Sequence, residues 1–236
     1  MSGRVRVLLL AALMALVLPW FPPVAAQGPS RAPEQFHHSS WTMEDGAPPE
    51  IWAIAQTADG VLWLGTGGGL YRFDGIRFEE IRPRVGKLPS RNITALLATP
   101  DGDLWLGFYN GQIARLRDGT LTRFGAANDS VDRLIRGPDG TIWAAFWRGP
   151  RHLARFDGAR WHWIPADRRI VPGKLGSVVA AQDGTIWATT DRQILRLQPG
   201  ERALTPVAWA RPGDSLVGTH NGGVALARSG PCYGGK

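Results

Sequence analysis

The sequence predicts an all-β chain built from one four-stranded antiparallel unit repeated in tandem. Three observations predict it. The pattern Asp-Gly-x-[Leu/Ile]-Trp starts at Asp59, Asp101, Asp139 and Asp183, at intervals of 42, 38 and 44 residues. The 30 Gly and 18 Pro leave few stretches long enough for a helix. Beyond residue 30, no capped run keeps helical apolar spacing over three turns.

The N-terminus stands apart from the repeats. Arg4 and Arg6 precede a 15-residue apolar run, Val7–Phe21, and Val24 and Ala26 occupy the −3 and −1 positions of a cleavage site before Gln27. This is a signal-peptide pattern over 1–26. The run falls short of the roughly 20 residues that a spanning helix needs. Pro19, Pro22 and Pro23 also break it. The mature chain is therefore expected to be exported. Residues 27–40 read as a linker. Its adjacent His37 and His38 have no third ligand type nearby, so no metal is expected. Nor is any cofactor. The single cysteine, Cys232, excludes an internal disulfide. The net charge of +7 is spread over scattered arginines with no run of five like charges, so nucleic acid is not an expected partner.

Each repeat unit reads as four short strands, typified by "ITALLAT", "LWLGT", "LYRF" and "IRFEEI". The Asp-Gly turn after the first strand is expected to close a hairpin with positive φ at both central residues. A second turn follows at Asp74-Gly75, Asp118-Gly119, Asp157-Gly158 and Pro199-Gly200. A period near 40 with four strands per unit is the arithmetic of a β-propeller blade. The blades are placed at about 51–82, 93–125, 131–165 and 175–208, with a partial fifth at 213–228, inside a repeat region of 41–230. In the fifth, Leu216, Gly218 and Gly222 to Val224 loosely echo "LWLGTGGGL". The tail 231–236 matches nothing in the repeat. A seven-bladed ring needs about 290 residues, so an incomplete ring is expected, with a small five-bladed ring as the alternative.

The unit "ITALLATPDGDLWLGFYNGQIARLRDG" resembles the two-component regulator propeller repeat, as does "MEDGAPPEIWAIAQTADGVLWLGTGGGLYRFDG". The resemblance covers roughly residues 36 to 200. It is strengthened by the exported start followed by Trp41-Thr-Met-Glu-Asp-Gly, which is similar to the periplasmic sensor regions of bacterial hybrid histidine kinases. It implies a ligand-sensing input module. In a full-length parent, a membrane helix and a cytoplasmic kinase would follow.

The recurring residues are read as structural. Asp59, Gly60, Asp101, Gly102, Asp139, Gly140, Asp183 and Gly184 form turns. Trp63, Trp105, Trp143 and Trp187 pack between blades. "GTGGGL" from Gly65 lies between two strands, so it is a turn and no phosphate cradle. Arg72, Arg115, Arg155 and Arg196 are read as solvated or blade-edge residues. Alternating strand direction puts both Asp-Gly turns at one end of the blade and the variable loops at the other. Function is sought in those loops. The candidates are Arg91, Asn92, Tyr109, Asn110, Trp147, Arg148, Arg151 and His152. Aromatics beside arginines suit a small-molecule or glycan ligand, including an anionic one. No catalytic residue is assigned. Two other functions are weighed: a streptogramin-lyase-like enzyme, for which His152 is the only variable-loop histidine, and a secreted interaction scaffold. A homodimer is among the partner expectations.

Overall fold

The computed structural model describes residues 39–126, 129–147, 153–211, 214–219 and 223–227. Trp41–Lys236 forms one unit, and the strands below all belong to it. The first sheet pairs β1 (Ile51–Gln56), β2 (Leu62–Thr66), β3 (Gly69–Phe73) and β4 (Phe78–Ile81) in sequence order. The second pairs β5 (Ile93–Ala98), β6 (Leu104–Phe108), β7 (Gln112–Arg117) and β8 (Thr120–Ala126). The third pairs β9 (Val131–Arg136), β10 (Ile142–Phe146), β11 (Leu153–Phe156) and β12 (Trp161–Trp163). The fourth pairs β13 (Leu175–Ala180), β14 (Ile186–Thr190), β15 (Gln193–Leu197) and β16 (Thr205–Trp209). A two-stranded sheet, β17 (Ser215–Gly218) and β18 (Val224–Ala227), follows. All pairings are antiparallel, as in propeller blades.

The first Asp-Gly turn differs from the expected two-residue hairpin. Gly60 has φ 86°, but Asp59 is not among the positive-φ residues. The loop is longer: Thr57 N donates to Val61 O (3.1 Å) and Gly60 N to Thr57 O (2.9 Å). One left-handed residue after a tight turn is enough to reverse a loop of this length, so only the glycine needs positive φ. The Asp59 carboxylate closes the turn by accepting from Thr57 Oγ1 (2.6 Å) and Val61 N (3.3 Å). The same pair of backbone bonds recurs at Thr99–Asp103, Gly137–Thr141 and Ala181–Thr185. Among the described residues, Asp118-Gly119 alone matches the two-residue expectation, with φ of 50° and 77°.

In the first three blades the repeat tryptophan faces a seam between blades, and in the first it also anchors this turn. Trp63 Nε1 donates to Thr57 Oγ1 (3.1 Å). Trp105 is buried in a cluster with Val131, Ile142 and Phe156 of the next sheet, and Trp143 in one with Leu175, Ile186 and Leu197. Each hydrophobic core therefore lies between two sheets. The recurring arginine is not simply solvated. It is the cross-strand partner of the tryptophan in every blade: Trp63↔Arg72, Trp105↔Arg115, Trp143↔Arg155 and Trp187↔Arg196. The Arg115 guanidinium lies 5.8 Å from the Trp105 ring centroid, in cation–π range.

β1, β5, β9, β13 and β17 stand side by side as the innermost strands. Ile93, Val131 and Leu175 begin three of them and are 0%, 0% and 5% exposed. A small residue on the preceding blade admits the first two. A Cβ on Gly65 would meet Ile93 Cγ2 at 2.7 Å, and one on Gly107 would overlap Val131. Seams are also bridged by hydrogen bonds: Thr94 Oγ1 donates to Val131 O (2.6 Å), and Leu216 N to Ser177 Oγ (2.8 Å). β17 therefore takes the innermost place, and its echo of "LWLGTGGGL" does not mark a second and third strand. The linkers also protect edges. Val85 bridges Thr120 on β8, and Ala166 bridges Leu204 just before β16, covering part of each outer edge.

Candidate functional site at the mouth of the inner strands

At the end opposite the Asp-Gly turns, every blade extends its first hairpin by one more backbone bond. Gly67 N donates to Glu50 O (3.3 Å), Tyr109 N to Asn92 O (3.1 Å), Trp147 N to Ser130 O (3.1 Å) and Asp191 N to Lys174 O (2.9 Å). Main-chain atoms alone make this bond, so the side chains there are free to differ. They do: Gly67, Tyr109, Trp147 and Asp191 occupy one equivalent position, and Glu50, Asn92, Ser130 and Lys174 face them.

Two of these pairs, in the second and third blades, open onto a cavity of about 590 Å³. Asn92, Tyr109 and Trp147 meet there, joined from the inner strands by Trp52, Thr94 and Asp132. The volume lies within the range for small-molecule sites. Tyr109, Trp147 and Trp52 are 58%, 37% and 60% exposed, so three aromatic faces border the opening. Asn92 Oδ1 is buried and has no hydrogen-bond partner, so the wall carries one unmatched amide oxygen. The Asp132 carboxyl is partly buried, and burial pushes its pKa up. Arg133, with Nε 3.6 Å from Asp132 Oδ2, offsets this in part, and Asp129 adds to it. The cavity thus combines aromatic faces, an unmatched amide and a carboxyl held in poor solvation.

Other sequence candidates lie elsewhere. The Arg91 guanidinium donates to Glu80 Oε1 (3.0 Å) on β4 and is not among the lining residues. Asn110 Oδ1 accepts from Gln112 N (3.3 Å), tying a loop turn, and does not line the cavity. Arg148, Arg151 and His152 fall outside the described residues. Trp52, Thr94 and Asp132 were missed because they belong to strands rather than loops. A signal was present: Trp52, Thr94, Asp132 and Gly176 each follow the first residue of an inner strand, and four residue types at one strand position mark a non-core role.

A larger cleft of about 760 Å³ lies at the turn end, between the third and fourth blades. Its acids are occupied in closing turns. Asp139 Oδ1 accepts from Thr141 N (3.0 Å), Asp183 Oδ1 from Thr185 N (2.9 Å) and Glu201 Oε2 from Gln198 N (2.7 Å). Size therefore does not select it over the mouth. Among the described residues, no three His, Cys, Asp or Glu side chains converge to hold a metal. No helix among them is long and apolar enough to cross a membrane.

Comparison with known proteins agrees with this architecture. The family described as "Two component regulator propeller" matches residues 45–68 and 87–110, so the chain carries repeats of that kind. No curated protein sequence matches. Among solved structures, the chain is similar to the extracellular domain ascribed to a one component system of B. thetaiotaomicron. Identity is 17% and the TM-score 0.62, covering 77% of this chain and 26% of that one. It is also similar to the extracellular domain ascribed to a hybrid two component system of the same organism (16%, TM-score 0.60, 75% and 26%). A third similar structure is virginiamycin B lyase from Staphylococcus aureus (14%, TM-score 0.59, 76% and 70%). The chain spans about a quarter of the length of the two extracellular domains. At these identities the likeness concerns the fold.

Proposed function

We propose that this propeller is the ligand-sensing input region of an exported two-component-type sensor, and that its ligand, a small molecule or a glycan, is held at the mouth of the inner strands. The reading rests on the regulator-propeller repeats together with one observation. Of one equivalent position at which all four blades differ, Gly67, Tyr109, Trp147 and Asp191, the second- and third-blade residues Tyr109 and Trp147 border a cavity with an unmatched Asn92 amide and three aromatic faces. A signal peptide over 1–26 would deliver the domain to the periplasm. Ligand closing on Tyr109 and Trp147 would draw the second and third blades together, a change that a kinase in a longer parent could read as a population shift.

Binding is favoured over lyase-type catalysis because the matched repeats are of the two-component regulator kind and two of the similar structures are extracellular domains of one- and two-component systems. A thermal-shift screen of monosaccharides, oligosaccharides and small organic acids tests the reading. The expected result is stabilisation by one ligand class that disappears in Tyr109→Ala and Trp147→Ala. A ligand that stabilises both variants as well as the parent would place the site elsewhere. A ligand chemically converted on incubation would replace sensing with catalysis.

A further inference from the structure

A second cleft, of about 370 Å³, lies at the seam between the second and third blades, on their outer strands. Arg123 and Phe124 reach it from β8, Phe146 from the end of β10, and Arg160, Trp161 and Trp163 from β12 and the turn before it. The rest of its wall is glycine and aliphatic side chain.

Three features define its chemistry. First, among the described residues its lining has two cations and no acid. Arg123 and Arg160 are exposed, and neither pairs with a carboxylate among the described residues. Second, its aromatic wall is fixed. Trp161 packs against Phe156 at 5.1 Å and edge-on to Trp105 at 5.9 Å, and Trp163 lies 4.7 Å from Phe146. Trp161 and Trp163 are two residues apart on β12, which puts them on one face of the strand. Third, Trp161 Nε1 is buried without a hydrogen-bond acceptor, and an indole N–H can only donate.

Two guanidinium groups and an unmatched N–H all ask for an acceptor, and the planar walls ask for a flat apolar body. A sugar fits poorly. Its hydroxyls need acceptors as well as donors, and among the described residues no Asp, Glu, Asn, Gln, Ser or Thr side chain lines the cleft. We propose that this cleft binds a planar aromatic carboxylate, with the carboxylate between Arg123 and Arg160 and the ring against Trp161 and Trp163. The site is separate from the mouth and does not depend on the sensing role.

Titration of the purified full chain with 4-hydroxybenzoate, followed by calorimetry and tryptophan fluorescence, tests this. Saturable binding is expected, and the double variant Arg123→Ala/Arg160→Ala should weaken it about tenfold or more, as loss of charge-assisted hydrogen bonds requires. Both arginines are exposed, so an unchanged melting temperature should show that the variant is folded. Trp161→Phe keeps an aromatic ring on β12 but removes the N–H, and should weaken binding by a smaller factor. 4-Hydroxybenzyl alcohol, which has the ring without the charge, should not compete, and neither should glucuronate. No saturation through the millimolar range, or equal affinity in the double variant, would overturn the proposal. Equal binding of glucuronate would overturn the aromatic class.

Discussion

The two ends of each blade obey different rules. At the turn end, four loops repeat the same pair of backbone bonds, and a glycine in the left-handed region closes each: Gly60, Gly102, Gly140 and Gly184, with φ of 81–86°. At the mouth, one backbone bond also repeats four times, yet the residues making it are Gly67, Tyr109, Trp147 and Asp191. The difference teaches where sequence is constrained. The turn needs a particular φ at the glycine, and the aspartate carboxylate closes it at Asp59, Asp139 and Asp183, so residue type is constrained. The mouth bond needs only main-chain atoms, and its four donors sit at ordinary φ, so their side chains are left to serve something else.

Substitutions can break that contrast. The largest effect is expected in the seams that both ends depend on. Trp105 is 3% exposed among Phe124, Phe156 and Trp161. Trp105→Ala should cost about 3–5 kcal/mol in urea denaturation. The next effect belongs to the turn end. Gly102→Ala places a Cβ at φ 81° with open space around it, so backbone strain alone should cost about 1–2 kcal/mol. A neutral result there would mean that the glycine repeats for some reason other than geometry.

At the mouth, Tyr109→Ala should change stability by no more than about 0.5 kcal/mol, because the ring is exposed and its backbone bond survives. The same variant should abolish ligand-induced stabilisation. The smallest expected stability effect, and one that depends on pH, is that of Asp132→Asn. The folded-state pKa of Asp132 is raised by burial, so the folded protein holds this proton more tightly than the unfolded chain. Its charge therefore costs stability once pH rises above the ordinary carboxylate range and through the folded pKa. The cost vanishes below that range. Asp132→Asn should be more stable than the parent near neutral pH and equal to it in acid, as thermal melts across pH would show. A variant less stable at neutral pH would mean that the Arg133 pair outweighs the burial.

How much of this was legible in the sequence follows from the same contrast. The propeller blades could be read because turn geometry forces Asp-Gly to recur and a Trp packs in the seams after the first three blades. The finer turn geometry could not be, because Asp-Gly serves both a two-residue hairpin, as at Asp118-Gly119, and the longer loop at Asp59-Gly60. The register of Arg115 opposite Trp105 was hidden because a strand pattern does not state which residues pair. At the mouth, Asn92, Tyr109 and Trp147 stood out as loop residues that do not repeat. Arg91 and Asn110 shared that property but have local partners in Glu80 and Gln112, which loop position alone does not reveal. Trp52 and Asp132 were overlooked for the opposite reason: a strand position suggested core, although inner strands also line the opening.

The central claim is that ligand engages the mouth and not the turn end. Hydrogen–deuterium exchange with a stabilising compound from the screen tests it most directly. The account predicts added protection in peptides covering 92–96, 109–113 and 130–135, with the turns at 99–103, 137–141 and 181–185 unchanged. Protection confined to those turns, with the mouth exchanging as before, would contradict it.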